Sequence, residues 1–149
     1  MSNAKTVKDV MTSKVEWVKP ETKLSEIASR MQQNDCGSVL IGENDRLVGV
    51  VTDRDIVTRA VAKGLNAADV QARQVMSTKV LYCTESDSLE EAAQNMAKAQ
   101  VRRLVVLNDK KRMVGIISLG DIASAAVAIA AAAGSALNQI CKTGMKKAA

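Results

Sequence analysis

The chain has 149 residues, 47% of them apolar, with a formal net charge of +5 and a sequence pI near 9.2. It contains no histidine, which excludes Ser-His-Asp and Cys-His catalysis, His-ligated zinc and imidazole acid–base chemistry. Its two aromatics, Trp17 and Tyr82, are too few to build a stacking platform for single-stranded nucleic acid.

In chain order, Ser2-Asn3-Ala4 after Met1 is compatible with a cloning scar, and the N-terminus shows no apolar signal-peptide core. Val15 and Trp17 fall on one face, and Glu16 and Val18 on the other, of a short predicted strand that Pro20 ends. Thr22 is placed to cap the next helix, whose Leu24, Ile27, Ala28 and Met31 form one apolar stripe. Asp35-Cys36-Gly37 breaks that helix. Ser38 to Ile41 is predicted as a second strand, Glu43-Asn44-Asp45-Arg46 as a hairpin turn and Leu47 to Val51 as a third strand. A helix is expected from Asp53 to about Lys63, stopped by Gly64 at its C′ position.

The pattern then restarts. At an offset of 65, Val10-Met11 matches Val75-Met76, Leu24 matches Leu89, Glu26 matches Glu91 and Met31 matches Met96. Arg103 to Leu107 repeats the second strand. The turn Asn108 to Arg112 is one residue longer, so Gly49, Asp55 and Ile56 match Gly115, Asp121 and Ile122 at an offset of 66. This predicts an α/β fold of two β-α-β-β-α repeats, residues 7–64 and 75–133, with a connector at 65–74 and a C-terminal tail at 134–149. A repeat of about 60 residues is small for a core of its own. Two copies are expected to bury their bare sheet faces against each other as a pseudo-two-fold pair, with clefts near the strand-to-helix turns.

After Asp121 the sequence turns Ala-rich. The second helix is expected to extend from Ile122 to Ala133, break near Gly134 and give way to a basic tail. The apolar run reads as too short and too Ala-heavy for a membrane span. It is also too apolar to lie wholly in water, so a homodimer with helices near the sequence ends in contact is expected.

Two stretches carry the chemistry: Gly49-Val50-Val51-Thr52-Asp53-Arg54-Asp55 and Gly115-Ile116-Ile117-Ser118-Leu119-Gly120-Asp121. Each runs from an apolar strand into a hydroxyl residue followed three positions later by Asp. Capping boxes at two strand-to-helix turns explain both without a ligand. The same geometry offers a phosphate the free N–H groups and positive dipole end of a helix. The carboxylate beside it suits a ribose diol. The repetition of the motif, with its preceding Gly, favours a shared role.

Trp17 and Tyr82 occupy equivalent places. They either pack on their sheets or wall a flat heterocycle beside the turns. Arg102 and Arg103 precede the second strand of the second repeat, where the first has Gly37 and Ser38. They either form a solvated face or hold phosphate oxygens. Arg54 lies inside the first turn, and its counterpart is Gly120.

Cys36, Cys83 and Cys141 are odd in number with no C-x-x-C, which fits a reduced, cytoplasmic chain. An enzyme acting on nucleotides would need a Walker-type loop or a carboxylate cluster for magnesium, and neither is found. A nucleic-acid binder, or a structural protein without a ligand, is the alternative suggested by the pI and the Lys-rich end. It lacks a concentrated basic stripe.

Over residues 7–128 the chain resembles a tandem pair of CBS domains, the cystathionine-β-synthase type module. The resemblance rests on Val10-Met11-Thr12 and Val75-Met76-Ser77 opening each unit, on the two Gly-x-x-Thr/Ser-x-x-Asp turns, and on Val101-Arg102-Arg103-Leu104-Val105-Val106. It implies a non-catalytic sensor, with no required cofactor, whose clefts bind adenosine-containing ligands such as AMP, ATP, NAD or S-adenosylmethionine. Asp55 and Asp121 would take the ribose diol, and Thr52 and Ser118 the ribose or phosphate. Val15, Trp17, Val18, Val80, Tyr82 and Cys83 would contact adenine. Ser38, Gly49, Val50, Arg54, Arg102, Arg103, Gly115 and Ile116 complete the expected nucleotide-binding set. Val105 stands where the family often has Pro. The chain resembles stand-alone CBS pairs, which act on a target enzyme or transporter.

Overall fold

The computed structural model of the protein describes the backbone of residues 5–148 and the side chains of residues 5–139. Ser2, Asn3 and Ala4 lie outside the described residues. The chain folds into two three-stranded sheets of the same design. In the first, β1 (Trp17–Val18) runs parallel to β2 (Ser38–Glu43), which pairs antiparallel with β3 (Arg46–Thr52). In the second, β4 (Tyr82–Thr84), β5 (Arg103–Leu107) and β6 (Met113–Ser118) repeat that order and those directions.

One helix crosses from the first strand to the second in each unit: α2 (Leu24–Asn34) and α5 (Leu89–Ala99). The 3.6-residue stripe turns inward as expected, burying Leu24, Ile27 and Met31 in α2 and Ala92 and Met96 in α5. Leu24, Ile27 and Ile41 are fully buried, each contributing about 1.5–3 kcal/mol over exposure. Ser88 caps α5 in a reciprocal box with Glu91. The expected cap by Thr22 does not form. Lys23 occupies the N-cap position of α2 without a side-chain bond, and the Thr22 carbonyl instead accepts from the Ala72 amide at 2.8 Å. The first hairpin turns on Asn44 (φ 52°) and Asp45 (φ 62°), residue types that tolerate the left-handed region such turns demand.

A helix follows the third strand of each unit: α3 (Asp53–Arg59) and α6 (Leu119–Ala148). The single helix expected from Asp53 to Lys63 is divided. It ends at Arg59, buried Ala60 leaves helical geometry, and a 3₁₀ turn covers Val61–Lys63. The amides of Gly64 and Leu65 donate back to the carbonyls of Val61 and Ala60, which tightens the turn, and Gly64 closes it at φ 69°. The expected break near Gly134 is absent, since α6 runs through it. One interior glycine costs about 1 kcal/mol against alanine, less than the surrounding alanines favour helix. Its stretch Leu119–Gln139 is, by length and composition, long and apolar enough to cross a membrane, which corrects the expectation of a run too short to do so. The start of that stretch is docked on the second unit, where Ile122 and Ala125 are buried.

The lead-in segments are exchanged. Short helix α1 (Val7–Val10) precedes the first sheet in sequence but packs on the second unit. Its Val7 amide donates to the Asp87 carbonyl at 2.9 Å, and Val7 joins a core with Cys83, Met96, Leu104 and Ile117. Its counterpart α4 (Ala72–Val75), at the end of the expected connector, packs on the first unit. Val70, Ala72 and Val75 enter that core with Leu24, Ile27, Ile41 and Val51.

Beyond these helices, each lead-in runs along the third strand of the unit it has reached. Thr12 and Ile116 exchange two amide–carbonyl bonds of 2.9 Å, and Ser77 and Val50 do the same. Gly115 and Gly49 permit this approach. A Cβ on Gly115 would lie 2.4 Å from Met11 Sδ and 2.9 Å from the Thr12 carbonyl oxygen; on Gly49 it would lie 2.9 Å from Met76 Sδ and from the Ser77 carbonyl oxygen. The repeated Val-Met openings and the repeated glycines are two halves of one joint.

The bare sheet faces meet as expected. Val105, Leu107 and Met113 of the second sheet are buried against Trp17, Leu40 and Leu47 of the first, with Val15 and Val80 at the same cluster. The hairpins lock the pair: the Met113 amide donates to the Asp45 carbonyl at 2.8 Å, and Arg112 donates to the Asn44 carbonyl.

Candidate functional site

Both strand-to-helix turns are capping boxes. The Thr52 amide donates to Asp55 Oδ2 at 2.9 Å, and the Asp55 amide donates to Thr52 Oγ1 at 3.0 Å. The Ser118 amide donates to Asp121 Oδ2 at 3.0 Å, and the Asp121 amide donates to Ser118 Oγ at 3.0 Å. In each box one carboxylate oxygen holds the backbone at the positive end of a helix. The other oxygens have different surroundings. Asp55 Oδ1 lies 3.8 Å from Nε of Arg59, one turn along α3. Arg59 Nη1 donates in turn to the carbonyls of Val75 at 2.9 Å and Met76 at 3.4 Å. The counterpart of Arg59 is Ala125, so the second turn has no such cation. Asp55 is buried and Asp121 half-buried.

Strand register determines what surrounds each turn. Ser38 pairs with Thr52, and Arg103 with Ser118. Trp17 pairs with Leu40, and Tyr82 with Val105. Val15 and Val80, two residues earlier, therefore sit level with Ser38 and Arg103. With side chains alternating along a strand, Val15, Ser38 and Thr52 share the inter-unit face at the first turn. Val80, Arg103 and Ser118 do so at the second. The Asp53 amide donates to the Gly37 carbonyl at 2.9 Å, and the Leu119 amide to the Arg102 carbonyl at 2.8 Å. Arg102 and Arg103 thus belong to the second turn and Arg54 to the first, and all three are exposed.

The two aromatics differ. Trp17 is half-buried against Met113. Tyr82 is 43% exposed, its hydroxyl accepts from Lys111 Nζ at 3.3 Å, and that ammonium stands 5.4 Å from the ring centre. Val18 and Cys83, expected beside adenine, lie on the opposite faces of their strands, buried in the helix-facing cores. Burial pushes the Cys83 thiol from 9.0 up to about 11, with Asp87 adding to the shift. Gly49, Val50, Gly115 and Ile116, also expected at the site, are engaged in the exchanged joint described above. Two features escaped the sequence reading: Arg59, whose i,i+4 spacing from Asp55 was visible, and Lys111, which no spacing links to Tyr82.

An open depression of about 260 Å³, lined by Asp87, Glu91, Gln94 and Asn95, contains none of the expected site residues. Among the described residues no three His, Cys, Asp or Glu side chains cluster as a metal site.

Known proteins share this arrangement. Residues 7–62 and 72–128 each match the CBS domain. The CBS domain-containing protein YhcV of Bacillus subtilis is 41% identical over 117 residues, 78% of this chain and 82% of its own length. Hypoxic response protein 1 of Mycobacterium tuberculosis is 35% identical over 119 residues, 79% of this chain and 82% of its own length. The crystal structure of CBSX2 in complex with AMP is similar with a TM-score of 0.71 at 26% identity, covering 84% of this chain and 98% of that one. With two domain matches, and their residues folded as two like sheets joined at exchanged lead-ins, this chain belongs to the CBS domain family.

Proposed function

We propose that this CBS pair is a regulatory module that binds an adenosine-containing ligand (AMP, ATP, NAD or S-adenosylmethionine) at its two strand-to-helix turns and signals to a partner protein. One observation carries the reading: both capping boxes hold the helix through a single carboxylate oxygen, Oδ2, with exposed arginines close by in the chain, Arg54 at the first turn and Arg102 and Arg103 at the second. The second oxygens of Asp55 and Asp121 take the ribose diol, and Thr52 and Ser118 bond ribose or phosphate. Val15, Trp17, Val80 and Tyr82 flank the base. Arg54, Arg102 and Arg103 hold phosphate oxygens. That CBSX2 binds AMP supports this ligand class.

In this reading the module catalyses nothing and is a cytoplasmic homodimer. A ligand between the units favours one relative packing, and a target enzyme or transporter reads the change. The test is thermal unfolding against AMP, ADP, ATP, NAD and S-adenosylmethionine. A ligand at one hundred times its dissociation constant adds about 2.7 kcal/mol of stability. Unfolding curves that none of the five moves would remove the reading.

A further inference from the structure

Resting on the ligand reading above, we infer that Arg59 makes the two turns unequal. Its guanidinium faces the one oxygen of Asp55 that the first turn has left for a ribose, so the turn at Asp121, with alanine in that place, grips the ribose diol more strongly.

Asp55 and Arg59 stand one helical turn apart on α3, a spacing at which side chains meet. Asp55 Oδ2 accepts from the Thr52 amide, which leaves Oδ1, and Oδ1 is the atom that lies 3.8 Å from Arg59 Nε. An ion pair this long and partly in water is ordinarily weak, because a long arginine must give up its rotamer freedom to stay in place. Here that ordering is supplied from elsewhere. Arg59 Nη1 donates to the carbonyls of Val75 and Met76, at the end of α4, where carbonyls lack a helical partner. The guanidinium is thereby anchored on the exchanged lead-in, with its Nε on the Asp55 side.

The second turn differs at each of these points. Ala125 stands at the equivalent position and is itself buried on the second unit. Asp121 enters no ion pair among the described residues. It is half-buried, where Asp55 is only 8% exposed. A hydroxyl gains most from a carboxylate oxygen that it can reach and that no cation already compensates. At Asp55 the ribose must share Oδ1 with Arg59 or displace it. At Asp121 it meets the corresponding oxygen directly.

The experiment is calorimetry of the full chain with AMP and 2′-deoxy-AMP, because their affinity ratio reads the 2′-hydroxyl while the attraction of arginines for the phosphate is common to both. Asp55→Ala leaves the second turn to report and Asp121→Ala the first, with thermal unfolding confirming that each variant is folded. The ratio is expected to be about tenfold or more in Asp55→Ala, and at least about threefold smaller in Asp121→Ala. Adding Arg59→Gln, which keeps an amide donor for the carbonyls but no charge, is expected to raise the ratio in Asp121→Ala to that of the second turn and to leave Asp55→Ala unchanged. Arg59→Ala, which gives the first turn the residue that the second carries, is expected to do the same. An arginine that merely held the lead-in would alter stability, or both affinities alike, without moving the ratio. An Asp121→Ala protein that binds AMP only once Arg59 is replaced also supports the inference. Equal ratios at the two turns, a first-turn ratio that neither Arg59 variant raises, or a first turn that stays silent with Arg59 replaced, overturns the role of Arg59 while AMP binding at the second turn keeps the ligand reading. A parent chain that binds no AMP overturns the inference, and the ligand reading falls with it only if ATP, NAD and S-adenosylmethionine are silent too.

Discussion

Gly115→Ala tests the exchanged joint on which both clefts stand. The added Cβ would meet Met11 Sδ at 2.4 Å and the Thr12 carbonyl oxygen at 2.9 Å. The thioether can swing aside, because methionine has three rotatable bonds. The carbonyl cannot do so freely, since it accepts the Ile116 amide at 2.9 Å. Overpacking of this kind costs about 1–3 kcal/mol, and each weakened backbone bond adds about 0.5–1.5 kcal/mol. A loss of about 2–4 kcal/mol in urea unfolding is therefore expected, or roughly 4–16 °C in Tm at 2–4 °C per kcal/mol for a chain of this size. Combining Gly115→Ala with Met11→Ala should recover only part of it, because the carbonyl contact remains. Gly134→Ala is the control: nothing lies within 4 Å of its added Cβ, and replacing a helical glycine should stabilise by up to about 1 kcal/mol. A Gly115→Ala protein within about 0.5 kcal/mol of the parent would refute the joint as described, since that is the ordinary range of neutral surface changes.

Asp55→Ala and Asp121→Ala should each weaken adenosine-ligand binding by about 1.5–3 kcal/mol in calorimetry while the protein stays folded; unchanged titrations would return both residues to capping alone. Arg54→Gly should lower the preference for ATP over AMP at the first turn, more so at low salt, and an unchanged preference would remove Arg54 from phosphate binding. The folded-state pKa of Cys83 lies above its value in the unfolded chain, so its contribution to stability is present below pH 9 and lost as pH rises towards 11. Cys83→Ala should remove that part of the alkaline slope in urea midpoints, and an identical slope would contradict the assignment.

The repeat, the β-α-β-β-α succession of elements and the meeting of the bare faces are legible, because periodicity and turn chemistry are local properties that a 65-residue offset makes visible twice. The capping boxes were legible for the same reason. The exchange of α1 and α4 was not. Val7 and Val75 look alike in sequence whichever core they enter, and only tertiary packing decides it. The role of Gly49 and Gly115 is hidden for the same reason, since their neighbours, Met76 and Met11, come from the other unit's lead-in. Val18 and Cys83 leave the expected adenine set because strand alternation sends them to the face opposite Trp17 and Tyr82. The alanines around Gly134 outweigh its helix-breaking tendency, so the expected break does not form.

The most direct measurement of the ligand account is calorimetric titration of the unmodified protein with AMP and with 2′-deoxy-AMP under identical conditions. If Asp55 and Asp121 accept the ribose diol, AMP binds and removal of its 2′-hydroxyl weakens binding by about tenfold or more, the equivalent of at least 1.4 kcal/mol. Equal affinities for the two nucleotides would contradict the assignment of the carboxylates. The absence of binding by either, with ATP, NAD and S-adenosylmethionine also silent, would contradict the adenosine reading as a whole.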